Sequence, residues 1–431
     1  MSKVLQPALT PVVSRHLPGN TAVAVFLAFA AAYFCSALVR SITATLAPVL
    51  TQEFALQARD LGLLGGGYFL GFAAMQLPLG TWLDRFGPKR VILCFLSLAV
   101  LGCLAFSAAT GFAGLLASRV LIGMGVSACM MAALTGYRRW LHASLLLRAN
   151  SWMLMTGSLG MLASTLPVQW LMPLLGWRPL FWILAALIAL SMAAIVLTVP
   201  GREPAPPMSD GDDHPLSTAI GYAQVWRSGY FRKMSPLAFF NYGGLVAIQT
   251  LWAGPWMIRV AGYTPLEAAT GLFYINAAML LTFWAWGLLN PVLVQRGWSA
   301  DRLVKWGIPL SLLVLAANIA AGPDAGWPGW ALFCVASSVM GLAQPAVGMA
   351  FPPSLAGRAL SGYNLVIFSG VFVVQWGLGL LIDLFRAGGL SESLSFQAAF
   401  GVFFGACALA YGYFLSNPST AAVSDADNHN A

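Results

Sequence analysis

The sequence predicts an all-α integral membrane protein of twelve transmembrane helices in two pseudo-symmetric six-helix bundles. Three observations carry this expectation. Of 431 residues, 59% are apolar and 8% charged, against roughly 25% charged in an ordinary soluble domain. A membrane-crossing helix uses about 20 residues, so this composition has room for roughly a dozen spans and little else. The apolar runs also fall into two groups of six, separated by a polar break. A soluble enzyme with a membrane tail is excluded. A net charge of +8 would suggest nucleic acid in a soluble domain, but here the basic residues stand in short loops between apolar runs, which points to membrane orientation and to the lipid bilayer as the surrounding partner.

The first six runs cover 22–48, 61–82, 91–109, 112–137, 152–174 and 180–199. The second six cover 235–258, 268–289, 303–321, 327–351, 360–383 and 396–415. The opening run is too long for a signal-peptide core and is followed by eleven others, so it reads as retained. Between the groups, 200–233 holds Pro204, Pro206, Pro207, Asp210, Asp212 and Asp213, a composition that cannot form a packed core. This divides the chain into an N-terminal bundle (1–199), a cytoplasmic linker (200–233), a C-terminal bundle (234–416) and a disordered tail (417–431). The second part of the linker, with Tyr222, Trp226, Arg227 and Tyr230, is expected to form a short interfacial helix. With the N-terminus inside, the inner loops collect nearly all of the Lys and Arg, and the outer loops hold only Arg59, Arg178, Arg259 and Arg386. Both termini are therefore expected in the cytoplasm. At an offset of 207 residues, Tyr33-Phe34 matches Phe240-Asn241, Ala47-Pro48 matches Gly254-Pro255, and Gly80 matches Gly287. A duplicated six-helix unit, a recurring plan in secondary transporters, would place such matches there. The six cysteines lie inside apolar runs without a CxxC pair, which supports neither a disulfide frame nor a metal site.

After the second run the sequence reads Gly80-Thr-Trp-Leu-Asp84-Arg85-Phe-Gly87-Pro-Lys89-Arg90. This closely resembles the G-x-x-x-D-R-x-G-x-[KR]-[KR] loop of the major facilitator superfamily, in the place where that family carries it. A degenerate echo runs from Gly287 to Arg296-Gly297, and Arg119-x-x-x-Gly123-x-Gly125 resembles the family's second motif. With the twelve runs and the linker, the resemblance covers nearly the whole chain. It implies a gating role for Gly80, Asp84, Arg85, Gly87 and Arg90, with Asp84 meeting the N-terminus of the eleventh span when the inner gate is closed. For Arg119 it implies a part in the conformational cycle or the coupling. Physical chemistry adds a reason for Asp84. At a helix C-terminus the helix dipole disfavours an anion by a few tenths to about 1 kcal/mol, so Asp84 needs a partner elsewhere, the eleventh span or else Arg138 or Arg139. The bland alternative is a solvated loop charge, and the positive-inside rule accounts fully for Lys89 and Arg90. Gly123-x-Gly125-x-x-Ala128 also matches a dinucleotide fingerprint, but that fingerprint needs a strand before it. In mid-span the glycines read as close helix packing, as does the Gly65-Gly66-Gly67-x-x-x-Gly71 run, apart from a capacity to flex the helix.

Arg40 lies about 18 positions into the first run, beyond the midplane, where an arginine costs roughly 3 kcal/mol on insertion scales. Tyr33, Ser36, Arg40 and Thr43 recur at helical spacing and form a polar stripe expected to face a central cavity. Either Arg40 binds a substrate anion, as an arginine of the first span does in carboxylate carriers of the resembled family, or it snorkels or pairs internally. Arg119, nearer the outer end of the fourth span, divides in the same way between a functional role and a pair with helix-end carbonyls. Asn241, Gln249, Asn276, Gln344, Asn364 and Gln375 are uncharged hydrogen-bonding groups at membrane depth, each either interhelical glue or a ligand contact. Gln249 and Gln375, near Trp252 and Trp376, are the expected substrate contacts of the second half. No Asp, Glu or His falls in mid-span, and Asp383 stands at an outer helix end.

These residues lead to one expectation: a monomeric inner-membrane secondary transporter that moves a small organic or inorganic anion by alternating access, with no cofactor and no nucleic-acid partner. The coupling partner is then a proton or a counter-anion, the proton riding on substrate, water, Asp84 or Asp383. Uptake is favoured because the fifth run, around Gly157, Gly160 and Pro167, lacks the full glycine-proline motif of drug exporters. An exporter of a metabolite, siderophore or drug is the alternative, and a transporter-like receptor is the alternative from another class. An enzyme is disfavoured, since no nucleophile with a neighbouring base and no embedded acid is present.

Overall fold

The computed structural model describes residues 17–201 and 215–417. The basic Lys3, Arg15 and Arg202, the histidines His16, His214 and His429, the proline and aspartate cluster 204–213 and the tail from 418 lie outside the described residues. Among the described residues, nine helices are individually long and apolar enough to cross a membrane. Two further spans are bent pairs, Ala58–Ala74 with Gln76–Phe86 at 44° and Arg148–Ala163 with Leu166–Leu175 at 42°. The twelfth is the run 229–259, a continuous rod in which the π-helical segments Leu237–Tyr242 and Ile248–Trp252 interrupt the α geometry. In chain order, span 1 is Gly19–Phe54, span 2 the first bent pair, span 3 Pro88–Ala108, span 4 Phe112–Trp140, span 5 the second bent pair and span 6 Trp177–Thr198. A linker helix Pro215–Arg227 follows. Span 7 is 229–259, span 8 Pro265–Gln295, span 9 Ala300–Asp324, span 10 Trp327–Met349, span 11 Leu355–Ala387 and span 12 Glu392–Ser416.

Local chemistry sets the span boundaries. Span 8 opens on a reciprocal box in which Thr264 Oγ1 accepts from the Glu267 amide at 3.3 Å and Glu267 accepts from the Thr264 amide at 2.8 Å, satisfying donors that a helix start leaves unpaired. Ser299 and Ser391 cap spans 9 and 12 from one side only, their hydroxyls accepting from the Arg302 and Leu394 amides. Gly87, at φ +78°, ends span 2 and lets Pro88 begin span 3. Gly176, at φ +75°, does the same between spans 5 and 6.

One end of the bundle carries Arg85, Lys89, Arg90, Arg138, Arg139, Arg148, Arg296, Arg302 and Lys305, and is called here the basic end. The far end carries Arg59, Arg178, Arg259 and Arg386 together with Glu53, Asp60, Glu267, Asp324, Asp383 and Glu392. Lys89 is more than a solvated loop charge. Its ammonium donates to the Val196 carbonyl at 2.8 Å and the Val199 carbonyl at 2.5 Å, capping the C-terminus of span 6, where a cation is favoured.

In a membrane, helices associate through close packing and not through expulsion of water, and glycines provide the approach. A Cβ on Gly123 would fall on the Tyr68 carbonyl and one on Gly71 on the Val120 carbonyl, seating span 4 against span 2. Gly123 and Gly125 therefore act as packing glycines. On the other face of span 2, Gly62 and Gly65 accept Gln375, and Gly66 accepts Phe372, both from span 11. The Gly65-Gly66-Gly67 run thus divides its packing between a partner in its own half and a partner in the other. That second contact makes the seam between halves, which continues through Phe72 and Phe368, whose ring centroids are 4.4 Å apart. The linker helix is shorter than the predicted stretch, because it ends at Arg227 and Tyr230 already belongs to span 7. It lies at the basic end of the same seam, where the Tyr222 hydroxyl donates to the Leu77 carbonyl at 3.5 Å and faces Arg358 and Ser361 of span 11. All six cysteines are free thiols.

Candidate functional site

Arg40 lies about two-thirds along span 1, deep in the protein yet only partly buried. It is surrounded by the hydroxyls of Tyr33, Tyr68 and Tyr242, with Tyr33 as its hydrogen-bonding neighbour. Tyr33 and Tyr68 belong to the first half and Tyr242 to the second, so Arg40 stands where the halves face each other. Tyr33 and Tyr242 are likewise partly exposed. The Arg40 Nε has no hydrogen-bond partner. Among the described residues, none of the ion pairs involves Arg40. A guanidinium in this setting has a full charge and a free donor, and the surrounding phenols supply further hydrogen-bonding groups.

The stripe predicted around Arg40 is only partly on this surface. Tyr33 is, with its ring laid over Gly157 of span 5. Ser36 and Thr43 are each 3% exposed, and the Ser36 carbonyl accepts from the Tyr68 hydroxyl at 3.5 Å. A helix 36 residues long with neighbours on several sides buries half of its polar stripe. Spacing along one helix cannot distinguish the face toward the cavity from the face toward spans 2 and 4.

Arg119 is 1% exposed. One terminal nitrogen donates to the Val39 carbonyl at 2.8 Å, and the guanidinium lies 5.2 Å from the Tyr68 ring centroid, a cation–π arrangement. Its Nε and other terminal nitrogen have no partner. The two arginines are thus joined through Tyr68 and through Val39, the residue before Arg40. Arg119 thus lies away from the partly exposed Arg40 and away from a helix end, its guanidinium forming a buried strut from span 4 to the Val39 carbonyl.

The expected contacts from the second half are placed in helix–helix joints. Gln249, 6% exposed, donates to Asn276 at 3.0 Å, tying span 7 to span 8. Gln375, 1% exposed, donates through its amide nitrogen to Thr250 Oγ1 at 3.0 Å, and its amide oxygen lacks a donor while pressed against Gly65. Gln344 and Asn364 bond each other at 2.7 Å while partly exposed, and Asn241 donates to the Cys407 carbonyl at 3.4 Å. Sequence reasoning missed Tyr68 and Tyr242. The pseudo-repeat held a signal for Tyr242, since the match between Tyr33-Phe34 and Phe240-Asn241 ends next to it.

At the basic end, Gly80, Asp84, Arg85, Gly87 and Arg90 surround the turn between spans 2 and 3. Asp84, Arg85 and Arg90 are exposed, and Asp84 has interactions of its own. Arg139 reaches this turn, donating to the Leu83 carbonyl at 3.5 Å, and Arg85 lies over the Phe86 ring at 5.3 Å. A cleft of about 440 Å³ opens elsewhere, at the far end between spans 1 and 7, lined by Thr51, Gln52, Pro255 and Arg259. Among the described residues no group of His, Cys, Asp and Glu could hold a metal ion.

The Major Facilitator Superfamily profile matches residues 29–375. A 4-hydroxybenzoate transporter of Pseudomonas aeruginosa is 31% identical over 152 residues, 35% of this chain and 34% of that protein. A probable sulfoacetate transporter of Cupriavidus necator is 27% identical over 254 residues, 54% of this chain and 56% of that protein. A probable L-galactonate transporter of Escherichia coli is 23% identical over 277 residues, 60% and 57% of the two chains. The chain thus spans from about a third to somewhat over half of the length of these curated relatives. In fold, it is similar to an inward-facing, unoccupied bacterial homologue of the human lysosomal transporter Spinster, with a TM-score of 0.76, 18% identity, and coverage of 93% of this chain and 98% of that one. It is also similar to a D-xylose–proton symporter, with a TM-score of 0.74, 14% identity, and coverage of 93% and 98%. These relatives are transporters and not enzymes, and their fold is that of a multi-pass membrane protein. From its matched length, its loop between spans 2 and 3 and its twelve-span architecture, the chain belongs to the major facilitator superfamily.

Proposed function

We propose that this protein carries a small organic anion across the bacterial inner membrane by alternating access, with Arg40 as the group that binds the anion. One observation carries the reading: Arg40 lies at the junction of the halves, partly exposed, with an unpartnered Nε and no carboxylate paired to it among the described residues. A cationic substrate would meet an uncompensated positive charge there. An anion supplies what the site lacks, and Tyr33 and Tyr242 bring donors from both halves to it. The relatives named for hydroxybenzoate, sulfoacetate and galactonate all carry organic acids, which supports the same reading.

The mechanism follows from the seam. With Tyr242 on one half and Tyr33 and Arg40 on the other, an anion held among them draws the halves together. Release requires them to part on one side while they stay joined on the other. The basic end is assigned to the cytoplasm by the positive-inside rule, which puts both termini there, and uptake is the favoured direction. Residues 1–199 and 234–416 act as the two moving halves joined by the linker 200–233, and Asp84 with its loop gates the cytoplasmic side. The protein works as a monomer. In this arrangement Gln249 and Gln375 hold helices in place and do not touch substrate.

The test is flux in proteoliposomes, comparing 4-hydroxybenzoate, sulfoacetate and galactonate with uncharged analogues such as 4-hydroxybenzamide. Saturable uptake of at least one acid without its neutral analogue is expected. Uptake of the neutral analogues at the same rate would overturn the anion reading.

A further inference from the structure

Asp383 lies in the last turn of span 11 at the far end. Its carboxylate accepts the backbone N–H of Ala58 at 3.2 Å and that of Arg59 at 2.8 Å. These are the first two residues of span 2, in the other half. A helix start has four N–H groups without intrahelical acceptors. Here those of Asp60 and Leu61 reach the Gln57 carbonyl at 3.1 Å and 3.0 Å, while those of Ala58 and Arg59 go to Asp383. The helix of Asp383 gains nothing from an anion at its own C-terminal end, whereas the start of span 2 does. The carboxylate therefore serves the opposite half. The backbones approach closely enough because position 379 is glycine, where a Cβ would fall on the Ala58 carbonyl. Among the described residues, the ion pairs joining spans at this end, Arg178 with Glu53 at 2.7 Å and Arg259 with Glu392 at 3.6 Å, each connect spans of a single half.

We propose that Asp383 is the latch of the far-end gate, a positioning residue that holds this side shut by capping span 2 across the two halves. Every far-end opening must break both of its hydrogen bonds and return the two N–H groups to water. The charged groups around it are Arg59 and Asp60 on span 2, Arg386 on span 11, Glu392 at the start of span 12 and Arg259 at the end of span 7. This inference rests on the alternating-access part of the reading above and is independent of the substrate.

The experiment measures distances between spin labels on Thr110→Cys and Gly388→Cys, exposed far-end turns of the two halves, in a cysteine-free background reconstituted in nanodiscs. No ligand is needed. Relative to the parent, Asp383→Ala should raise the ratio of long to short distances by about tenfold or more, as expected for losing bonds to a charged acceptor. Asp383→Asn, which keeps an accepting oxygen, should fall between. Ala58→Pro removes one donor while leaving Asp383 in place, at a helix position where proline is tolerated, and it too should give an intermediate shift. If Asp383→Ala does not yield a folded protein, Ala58→Pro decides. Unchanged distributions in the folded variants overturn the latch without touching the anion assignment, which flux tests separately.

Discussion

Replacing Arg40 by glutamine should separate binding from folding. Arg40 offers an unpartnered Nε beside Tyr33, Tyr68 and Tyr242, so a bound carboxylate would accept at least one charge-assisted hydrogen bond from it. Such bonds contribute about 1.5 to 3 kcal/mol, which corresponds to a rise of roughly 10- to 150-fold in the dissociation constant. Two-pronged engagement would put the loss at the upper end or beyond it. Stability should move little or upward, because an arginine at this depth costs roughly 3 kcal/mol on insertion scales and glutamine relieves part of that. Arg40→Lys should recover only part of the affinity, since an ammonium lacks the planar fork. The assay is equilibrium binding of whichever labelled acid the wild type takes up, with the melting temperature measured alongside. A dissociation constant within about threefold of wild type in Arg40→Gln would refute the assignment, whatever happened to flux.

Arg119→Met should keep the fold while weakening anion binding, because it removes the strut to the Val39 carbonyl behind Arg40; equal binding with unchanged stability would reduce Arg119 to a buried leftover. Asp84→Asn should shift the resting population toward opening at the basic end by roughly 5- to 150-fold if its contact contributes about 1 to 3 kcal/mol, read as slower reaction of far-end cysteines with an impermeant thiol reagent. Lys89→Met should lower stability by about 0.3 to 1 kcal/mol by uncapping span 6, measured by thermal unfolding in detergent. Gly123→Ile should cost about 1 to 3 kcal/mol or more through overpacking against the Tyr68 carbonyl, seen as a lower melting temperature and lower expression.

Much of the architecture was legible because membrane burial writes itself as long apolar runs. The runs 22–48 and 360–383 fall inside the helices Gly19–Phe54 and Pro353–Ala387, and the residues around Gly80–Arg90 pointed to the family before any geometry. The bends at Met75 and near Ser164 and the π-helical turns of span 7 were not legible, since they depend on what each helix packs against. The site was half legible. Arg40 stands out because a charge at that depth needs a reason, but Ser36 and Thr43 share its spacing and are buried. Gln249 and Gln375 show the same limit: depth is written in the sequence, whereas the partner is not, and Asn276 and Thr250 took them. Asp383 looked like a helix-end charge until the start of span 2, 324 residues away in sequence from Asp383 at Arg59, was seen against it.

The central claim, an anion carrier that alternates access without an acidic group at mid-depth, is tested most directly by counterflow. Proteoliposomes are preloaded with an unlabelled organic acid or left empty, and entry of the labelled acid is followed with no pH gradient. Binding at Arg40 and reorientation of the loaded halves predict faster entry into the preloaded vesicles, with the stimulation lost in Arg40→Gln. Equal entry into loaded and empty vesicles, with accumulation driven only by an imposed pH gradient and abolished by neutralising Asp84 or Asp383, would contradict it.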